Sequence, residues 1–172
     1  AGTASETTAA MVGEVGVIRR DPMAMKPFCG YNFADYWAHW LSFEQITPHL
    51  PKIFHVNWFR QNADGEFLWP GFGENLRVLQ WIIDRCEHRA GARETAIGFL
   101  PHPEDIDTKD LGVSAATMEL LTSIDSQQCR DEMVSLGKYL ESYGDRTPRE
   151  LMRQQQLVLD ALDAELALAP AS

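Results

Sequence analysis

The segment between residues 53 and 75 constrains the fold of this chain more than any other. Large aromatic side chains, two glycines, a proline and a carboxamide lie close together there, first in Ile53–Phe59 and then in Phe67–Asn75. The polar stretch Gln61–Gly65 separates the two runs, and its Asp-Gly pair is typical of a tight hairpin turn. We therefore predict two antiparallel strands, Lys52–Arg60 and Glu66–Trp69, joined by this turn.

Helical periodicity and further short strands surround the predicted hairpin. Asn32 is a good N-cap for a helix, and a second helix from Glu74 would place Leu76, Leu79, Ile82, Ile83 and Cys86 on one face. Short strands are predicted at Val15–Arg20 and Ala96–Leu100. These patterns predict a mixed α/β fold with short strands and a hairpin flanked by helices.

The two ends of the chain have different characters. Residues 1–16 are rich in Ala, Gly and Thr and lack helical or strand periodicity, which predicts a mobile loop. The C-terminal region is helical: Ser126–Tyr143 forms one helix, and Thr147-Pro148-Arg149-Glu150 carries a capping box that begins another. In that last helix Leu151, Gln155, Val158, Leu162 and Leu166 form one stripe.

Bulk composition excludes several classes of function. The length of 172 residues suggests one domain, and the net charge of −10 argues against a protein that binds a nucleic-acid backbone. No apolar run reaches the ~18 residues that span a bilayer, and the N-terminus does not resemble a secretory leader. Three cysteines without CxxC spacing fit a reducing compartment, so we expect a cytoplasmic location.

The aromatic residues of the hairpin allow two interpretations. Phe59, Phe67 and Phe72 could clasp a planar purine, with Trp58 and Trp69 behind them, or the same rings could form an ordinary hairpin core. Asn75 is equally open to two roles. Its carboxamide both donates and accepts, as reading a base edge requires, but it also stands where a helix cap would stand.

The order of these residues matches a known family. Lys52–Arg60 followed by Phe67–Asn75 resembles the guanine-binding segment of GTP-dependent phosphoenolpyruvate carboxykinase. The resemblance is most specific over about residues 5 to 100, is weaker from there to the C-terminus, and includes four upstream runs: Ser5–Ala10, Arg20–Met25, Gly30–Phe33 and Ala38–Leu41. It implies that this chain is the C-terminal portion of a longer enzyme and part of its nucleotide-binding lobe.

The resemblance also implies site residues. The guanine contacts would come from Trp58, Phe59, Phe67, Phe72, Gly73, Glu74 and Asn75. An alanine-rich lid over the substrates would come from Ser5, Glu6, Thr7, Thr8, Ala9 and Ala10. This divides the chain into a lid-like loop, residues 1–16, and the C-terminal part of the nucleotide-binding domain, residues 17–172.

By the same resemblance, the whole enzyme would convert oxaloacetate and GTP to phosphoenolpyruvate, carbon dioxide and GDP, a gluconeogenic decarboxylation. The Mn²⁺ or Mg²⁺ ligands and the catalytic residues would lie upstream, and the sequence contains no G-x-x-x-x-G-K-[ST] motif. We expect the partners to be GTP or GDP, the substrates and the missing N-terminal part, with no nucleic acid and no membrane. The alternative is a catalytically inert fragment that binds GDP or docks onto a companion chain.

Overall fold

The structure, a computed structural model, describes residues 3–6, 18–22 and 25–168, with side chains for residues 20–22 and 25–168. Within these ranges short strands pair as two antiparallel two-stranded sheets and helices follow and flank them, which confirms the mixed α/β class. The strands are β1 (Thr3–Glu6), β2 (Ile18–Asp21), β3 (Arg93–Thr95) and β4 (Gly98–Leu100). The helices are α1 (Phe33–Ile46), α2 (Asn75–Cys86), α3 (Ala115–Thr122), α4 (Ser126–Glu141) and α5 (Arg149–Leu168).

The described residues form two compact units. One unit combines the residues up to Leu50 with those from Ser126 onward, and the other runs from Pro51 to Asp125. The first contains β1, β2, α1, α4 and α5, and the second contains α2, β3, β4, α3 and the aromatic segment. The boundary that the sequence suggested between residues 16 and 17 stays a prediction, because residues 7–17 lie outside the described part.

Helices α4 and α5 pack as an antiparallel pair because a short connection joins them. Leu162 is fully buried, as the predicted stripe requires. Gln155, in the same stripe, donates its Nε2 to the Met133 carbonyl of α4 at 3.0 Å. The facing residue on α4 is buried Gly137, where a Cβ would lie 2.9 Å from that same Nε2. Glycine at position 137 therefore leaves room for the Gln155 side chain to reach the Met133 carbonyl on the other helix.

The predicted start of α5 is correct, but the predicted capping box is wrong. The backbone N–H of Thr147 donates to the Gly144 carbonyl at 3.1 Å, and its hydroxyl donates to the Leu140 carbonyl at 2.6 Å. The Glu150 carboxylate binds Arg153 and Gln154, forward along the helix. The 3-10 turn Gly144–Arg146 supplies an acceptor that the local sequence pattern does not reveal.

The predicted loop over residues 1–16 differs from the structure at Thr3–Glu6, which form β1. This strand pairs with β2 in a register that places Ser5 opposite Arg19 and Glu6 opposite Ile18. Hydrogen bonds to a partner strand outweigh weak local strand propensity, which is why the pattern of small residues did not predict it. The predicted strand Val15–Arg20 is confirmed for Ile18–Arg20, and its earlier residues lie outside the described part.

Helix α1 begins where the sequence predicts. The Oδ1 of Asn32 accepts a hydrogen bond from the Ala34 N–H at 2.9 Å, which satisfies one free donor of the first turn. Trp37 then packs its ring edge-on against Tyr139 and Tyr143 of the α4 region, with centroids 6.1 and 4.9 Å away. These ring contacts join α1 to the C-terminal helix pair.

The second unit has a core of buried apolar residues: Trp69, Trp81, Ile106 and Met118. Trp81 lies on α2, together with Val78 and Ile82, which pack against the same core. Of the residues predicted to share one face of α2, Ile82 packs against the core, whereas Leu76, Leu79, Ile83 and Cys86 are exposed. The large indole of Trp81 takes the buried position and turns those four side chains outward.

The predicted hairpin strands Lys52–Arg60 and Glu66–Trp69 are also wrong, although the turn between them is correct. One isolated bridge, between Gln61 and Phe67, is all that remains of the ladder in this stretch. The side chain of Asn62 accepts from the N–H groups of Asp64 and Glu66 at 3.0 and 2.9 Å, which builds the turn. The regular hairpin of this unit is β3–β4, which confirms the predicted strand for Gly98–Leu100.

Candidate functional site

The aromatic segment has an inner side and an outer side. Trp58 and Trp69 face each other with ring centroids 6.3 Å apart and pack with the core. Phe59 and Phe67, one and two positions away from these tryptophans, pair on the outer side, with centroids 6.1 Å apart and planes at 65°. The core interpretation is therefore confirmed for the tryptophans, while the phenylalanines face solvent and their stacking role stays a prediction.

The exposure of the phenylalanines is unusually high for such large apolar rings. Phe59 is 72% exposed, Phe67 is 60% exposed and Phe72 is 92% exposed. Contiguous exposed apolar surface commonly marks a binding site. The three residues that the sequence singles out as base-stacking candidates thus have ring surface free for a ligand.

Phe72 stands apart from the other two rings. It opens the 3-10 turn Phe72–Glu74, directly after Gly71, whose φ of 126° suits glycine alone. No ring contact joins Phe72 to Phe59 or Phe67 among the side chains that the structure describes. Walls that clasp a base from two sides cannot touch each other, so this separation is compatible with a slot.

Asn75 makes a contact that the sequence did not indicate. Its Oδ1 accepts a hydrogen bond from the indole Nε1 of Trp69 at 2.9 Å. The expected capping role is wrong, because Glu74 is the N-cap of α2 and makes no side-chain cap bond. The Asn75 side chain instead links the start of α2 to the core, and its own backbone N–H donates to the Phe72 carbonyl.

Of the two residues between Phe72 and Asn75, Gly73 has open space beside it and Glu74 forms an ion pair. A side chain added at Gly73 would meet no neighbouring atom within 4 Å. The Glu74 carboxylate binds Arg77 at 2.8 Å, and this hydrogen bond raises the pKa of the Arg77 guanidinium. Arg77 also donates to the Asp107 carbonyl at 3.0 Å. The Glu74 carboxylate is thus already paired.

A second positioning contact that sequence reasoning missed fastens the other end of the segment. The Arg60 guanidinium donates to the carbonyl and the hydroxyl of Ser123 at 2.9 and 3.0 Å. These residues are far apart in the sequence, and no local pattern links them. The contact ties the chain next to Phe59 to the end of α3.

The predicted lid is described only in part. Ser5 and Glu6 lie in β1 as backbone, and their side chains are not described. Thr7, Thr8, Ala9 and Ala10 lie outside the described residues. The lid role of all six residues stays a prediction.

No set of side chains in the described part fits a divalent cation. Among these residues no group of three or more His, Cys, Asp or Glu side chains converges. A donor set for Mn²⁺ or Mg²⁺ is therefore not found among the described residues. In the same part of the chain, no helix is both long enough and apolar enough to cross a membrane.

Comparison with known proteins identifies the family. The model of the "Phosphoenolpyruvate carboxykinase C-terminal P-loop domain" family matches residues 1–161. The chain belongs to the GTP-dependent phosphoenolpyruvate carboxykinase family. Its sequence contains no G-x-x-x-x-G-K-[ST] motif.

Individual relatives agree with the family match. Phosphoenolpyruvate carboxykinase [GTP] of Anaeromyxobacter dehalogenans is 47% identical over 160 residues, which is 93% of this chain and 27% of that protein. The protein of the same name from Chlamydia trachomatis is 44% identical over 96% of this chain and 27% of its own length. That from Thermoplasma volcanium is 46% identical over 88% of this chain and 25% of its own length. The chain thus spans about a quarter of the length of the carboxykinases it matches.

Proposed function

We propose that this carboxykinase chain supplies the guanine-binding part of an enzyme that converts oxaloacetate and GTP to phosphoenolpyruvate, carbon dioxide and GDP. The observation that carries the proposal is the high exposure of Phe59, Phe67 and Phe72, which lie with Asn75 on the segment that resembles the family's guanine-binding run. Trp58, Gly73 and Glu74 complete the proposed set. Trp58 supports the rings from the core, and the other two border the base through their backbones.

The chemistry of each residue fits a purine. Stacking of a base on an aromatic ring contributes roughly 1–3 kcal/mol. The three exposed phenylalanines therefore favour any planar base. The Asn75 carboxamide would add selectivity, because guanine and adenine present different hydrogen-bonding groups at the same ring edge.

The isolated chain would bind but not catalyse. In the whole enzyme, Mn²⁺ or Mg²⁺ held by upstream residues would neutralise charge on the phosphates. Residues Ser5–Ala10 would close over the substrates and exclude water during the reaction. We assign the protein to the cytoplasm, which the free thiols of Cys29 and Cys86 fit.

Calorimetric titration of this chain with GDP and separately with ADP, both with Mn²⁺ present, tests the proposal. We expect heat of binding for GDP and a clearly weaker interaction with ADP. Equal affinities for the two nucleotides, or no binding of GDP, would remove the basis for a guanine site on this chain. GTP-dependent turnover by the chain alone would contradict the proposed absence of catalysis.

A second candidate function is a docking piece for the rest of the enzyme. Leu76 and Ile83, which are 68% and 46% exposed, lie with Leu79 on the outward face of α2. Gel filtration would show self-association through this face, and the double variant Leu76→Gln with Ile83→Gln should shift the chain to a monomer. Leu157→Gln, at a comparably exposed position on α5 (48%), is the control. A shift in the control as well would show that the α2 face is not the interface.

A further inference from the structure

We infer that Trp69 is a positioning residue for base selectivity: its indole N–H orients the Asn75 carboxamide so that only the NH₂ group is left for the base. This inference rests on the proposed guanine site and adds to it the residue that sets its preference. It follows from the contact between the two side chains, which lie six positions apart and on different local elements.

The hydrogen bond determines which end of the carboxamide faces Trp69. A carboxamide has an oxygen that accepts and a nitrogen that donates, and its orientation is inferred from its partners. The indole Nε1 of tryptophan only donates. At a separation of 2.9 Å from Trp69, the Asn75 atom must therefore be the oxygen. The Asn75 Nδ2 has no acceptor among the described residues.

Both partners in this contact are held in place. Trp69 is only 6% exposed and packs in the core with Trp81, Ile106 and Met118. Asn75 is held by its backbone N–H, which donates to the Phe72 carbonyl. A carboxamide flip would place its NH₂ group against the indole N–H, two donors facing each other without an acceptor. The surrounding structure therefore fixes the orientation before any ligand arrives.

A fixed NH₂ group distinguishes the two purines. Guanine presents the carbonyl oxygen O6, an acceptor, where adenine presents an amino group, a donor. The Asn75 Nδ2 can donate to the first and would oppose the second. If the carboxamide were free to rotate, it could offer its oxygen to adenine and the preference would shrink.

Trp81 provides a matched control for Trp69. Both indoles are 6% exposed and belong to the same core cluster. The Nε1 of Trp81, however, is buried without a hydrogen-bond partner in the described part of the chain. Trp81→Phe therefore removes a similar piece of the core without touching the Asn75 carboxamide.

The experiment measures dissociation constants of GDP, ADP and diaminopurine riboside diphosphate for the chain and for its Trp69→Phe and Trp81→Phe variants. The diaminopurine analogue keeps the exocyclic amino group of guanine and replaces its ring carbonyl with a second amino group. We expect the ratio of the analogue's constant to that of GDP to fall about tenfold in Trp69→Phe, the effect of losing one orienting hydrogen bond. Trp81→Phe should keep the wild-type ratio.

The outcomes separate this inference from the proposed function. A wild-type chain that binds GDP and ADP equally overturns both. A chain that prefers GDP, and keeps its full preference in Trp69→Phe, overturns the inference and leaves the guanine site standing. The same holds if Trp81→Phe loses the preference to the same extent.

A measurement on Asn75 covers the case in which Trp69→Phe does not fold. In spectra of the ¹⁵N-labelled chain, the indole N–H signal of Trp69 should move and exchange faster with solvent in Asn75→Ala, while that of Trp81 stays unchanged. A Trp69 signal that neither moves nor exchanges faster would overturn the inference without any nucleotide being present.

Discussion

Phe72→Ala should separate binding from stability more clearly than any other single change. The ring is 92% exposed, so only about a twelfth of it is removed from water in the folded chain. An aromatic side chain carries about 200 Å² of surface, so the variant loses about 16 Å² of burial, or about 0.4 kcal/mol at ~25 cal/mol per Å². The free energy of unfolding should therefore hardly change.

Loss of the same ring should weaken nucleotide binding substantially. One stacking contact is worth roughly 1–3 kcal/mol, which corresponds to a dissociation constant for GDP about 5 to 150 times higher. Urea unfolding followed by fluorescence gives the stability, and calorimetric titration with GDP gives the affinity.

Phe28→Ala is the matched control for this experiment. Phe28 is 88% exposed, about as much as Phe72, but lies outside the aromatic segment and in the other compact unit. Phe28→Ala should change neither the free energy of unfolding nor the affinity for GDP. Unchanged GDP affinity in Phe72→Ala, or an equal loss in Phe28→Ala, would refute the assignment of the ring to a stacking wall.

Three further predictions concern the C-terminal helix pair. Leu162→Ala, at a fully buried position, should lower the free energy of unfolding by about 2–5 kcal/mol. The control Leu157→Ala, at a half-exposed position, should lower it much less. Equal losses of stability would contradict the packing of α4 on α5. Gly137→Ala should stabilise α4 by about 1 kcal/mol in a Gln155→Ala background. In the wild type it should have little net effect, because the new methyl group displaces the Gln155 Nε2 that lies 2.9 Å away. Identical effects on the free energy of unfolding in both backgrounds would show that Gln155 is not the obstacle. Hydrogen bonds from Arg153 and then Gln154 lower the pKa of Glu150 from 4.5 to about 2. Because the pKa in the folded chain lies below that in the unfolded chain, the ionised Glu150 stabilises the fold above pH 4.5, and this stabilisation is lost as the pH falls towards 2. The stability difference between Glu150→Gln and the wild type, measured by thermal unfolding, should accordingly shrink over that window, and a difference independent of pH would contradict the ion pair.

The helices were the most predictable part of this fold because their signals are local. Asn32 caps α1 through its own side chain, and the periodic apolar residues of α5 lead to fully buried Leu162. The turn at Gln61–Gly65 was equally predictable, since Asn62 builds it from bonds to residues within four positions.

The failures have in common a contact between distant residues. Strand β1 exists because β2 pairs with it across residues of weak strand propensity. The strand predicted at Lys52–Arg60 is absent where Arg60 binds Ser123. No periodicity in the sequence carries information about such contacts.

The candidate site was predictable in composition but not in geometry. The resemblance pointed to the three phenylalanines and Asn75, and the structure leaves those rings exposed. It did not reveal that Trp69 binds the carboxamide of Asn75, because that contact depends on the burial of the indole in a core shared with α2. The residue that we infer to orient Asn75 thus belongs to the core and not to the exposed rings.

The most direct test of the central claim is a nuclear Overhauser measurement on the chain with bound GDP. The claim is that the guanine base lies against the exposed rings of Phe59, Phe67 and Phe72. We predict cross-peaks between the ring proton of the guanine base and the aromatic protons of these phenylalanines, with none to Phe28. Binding of GDP with cross-peaks only to residues outside the segment 58–75 would contradict the account.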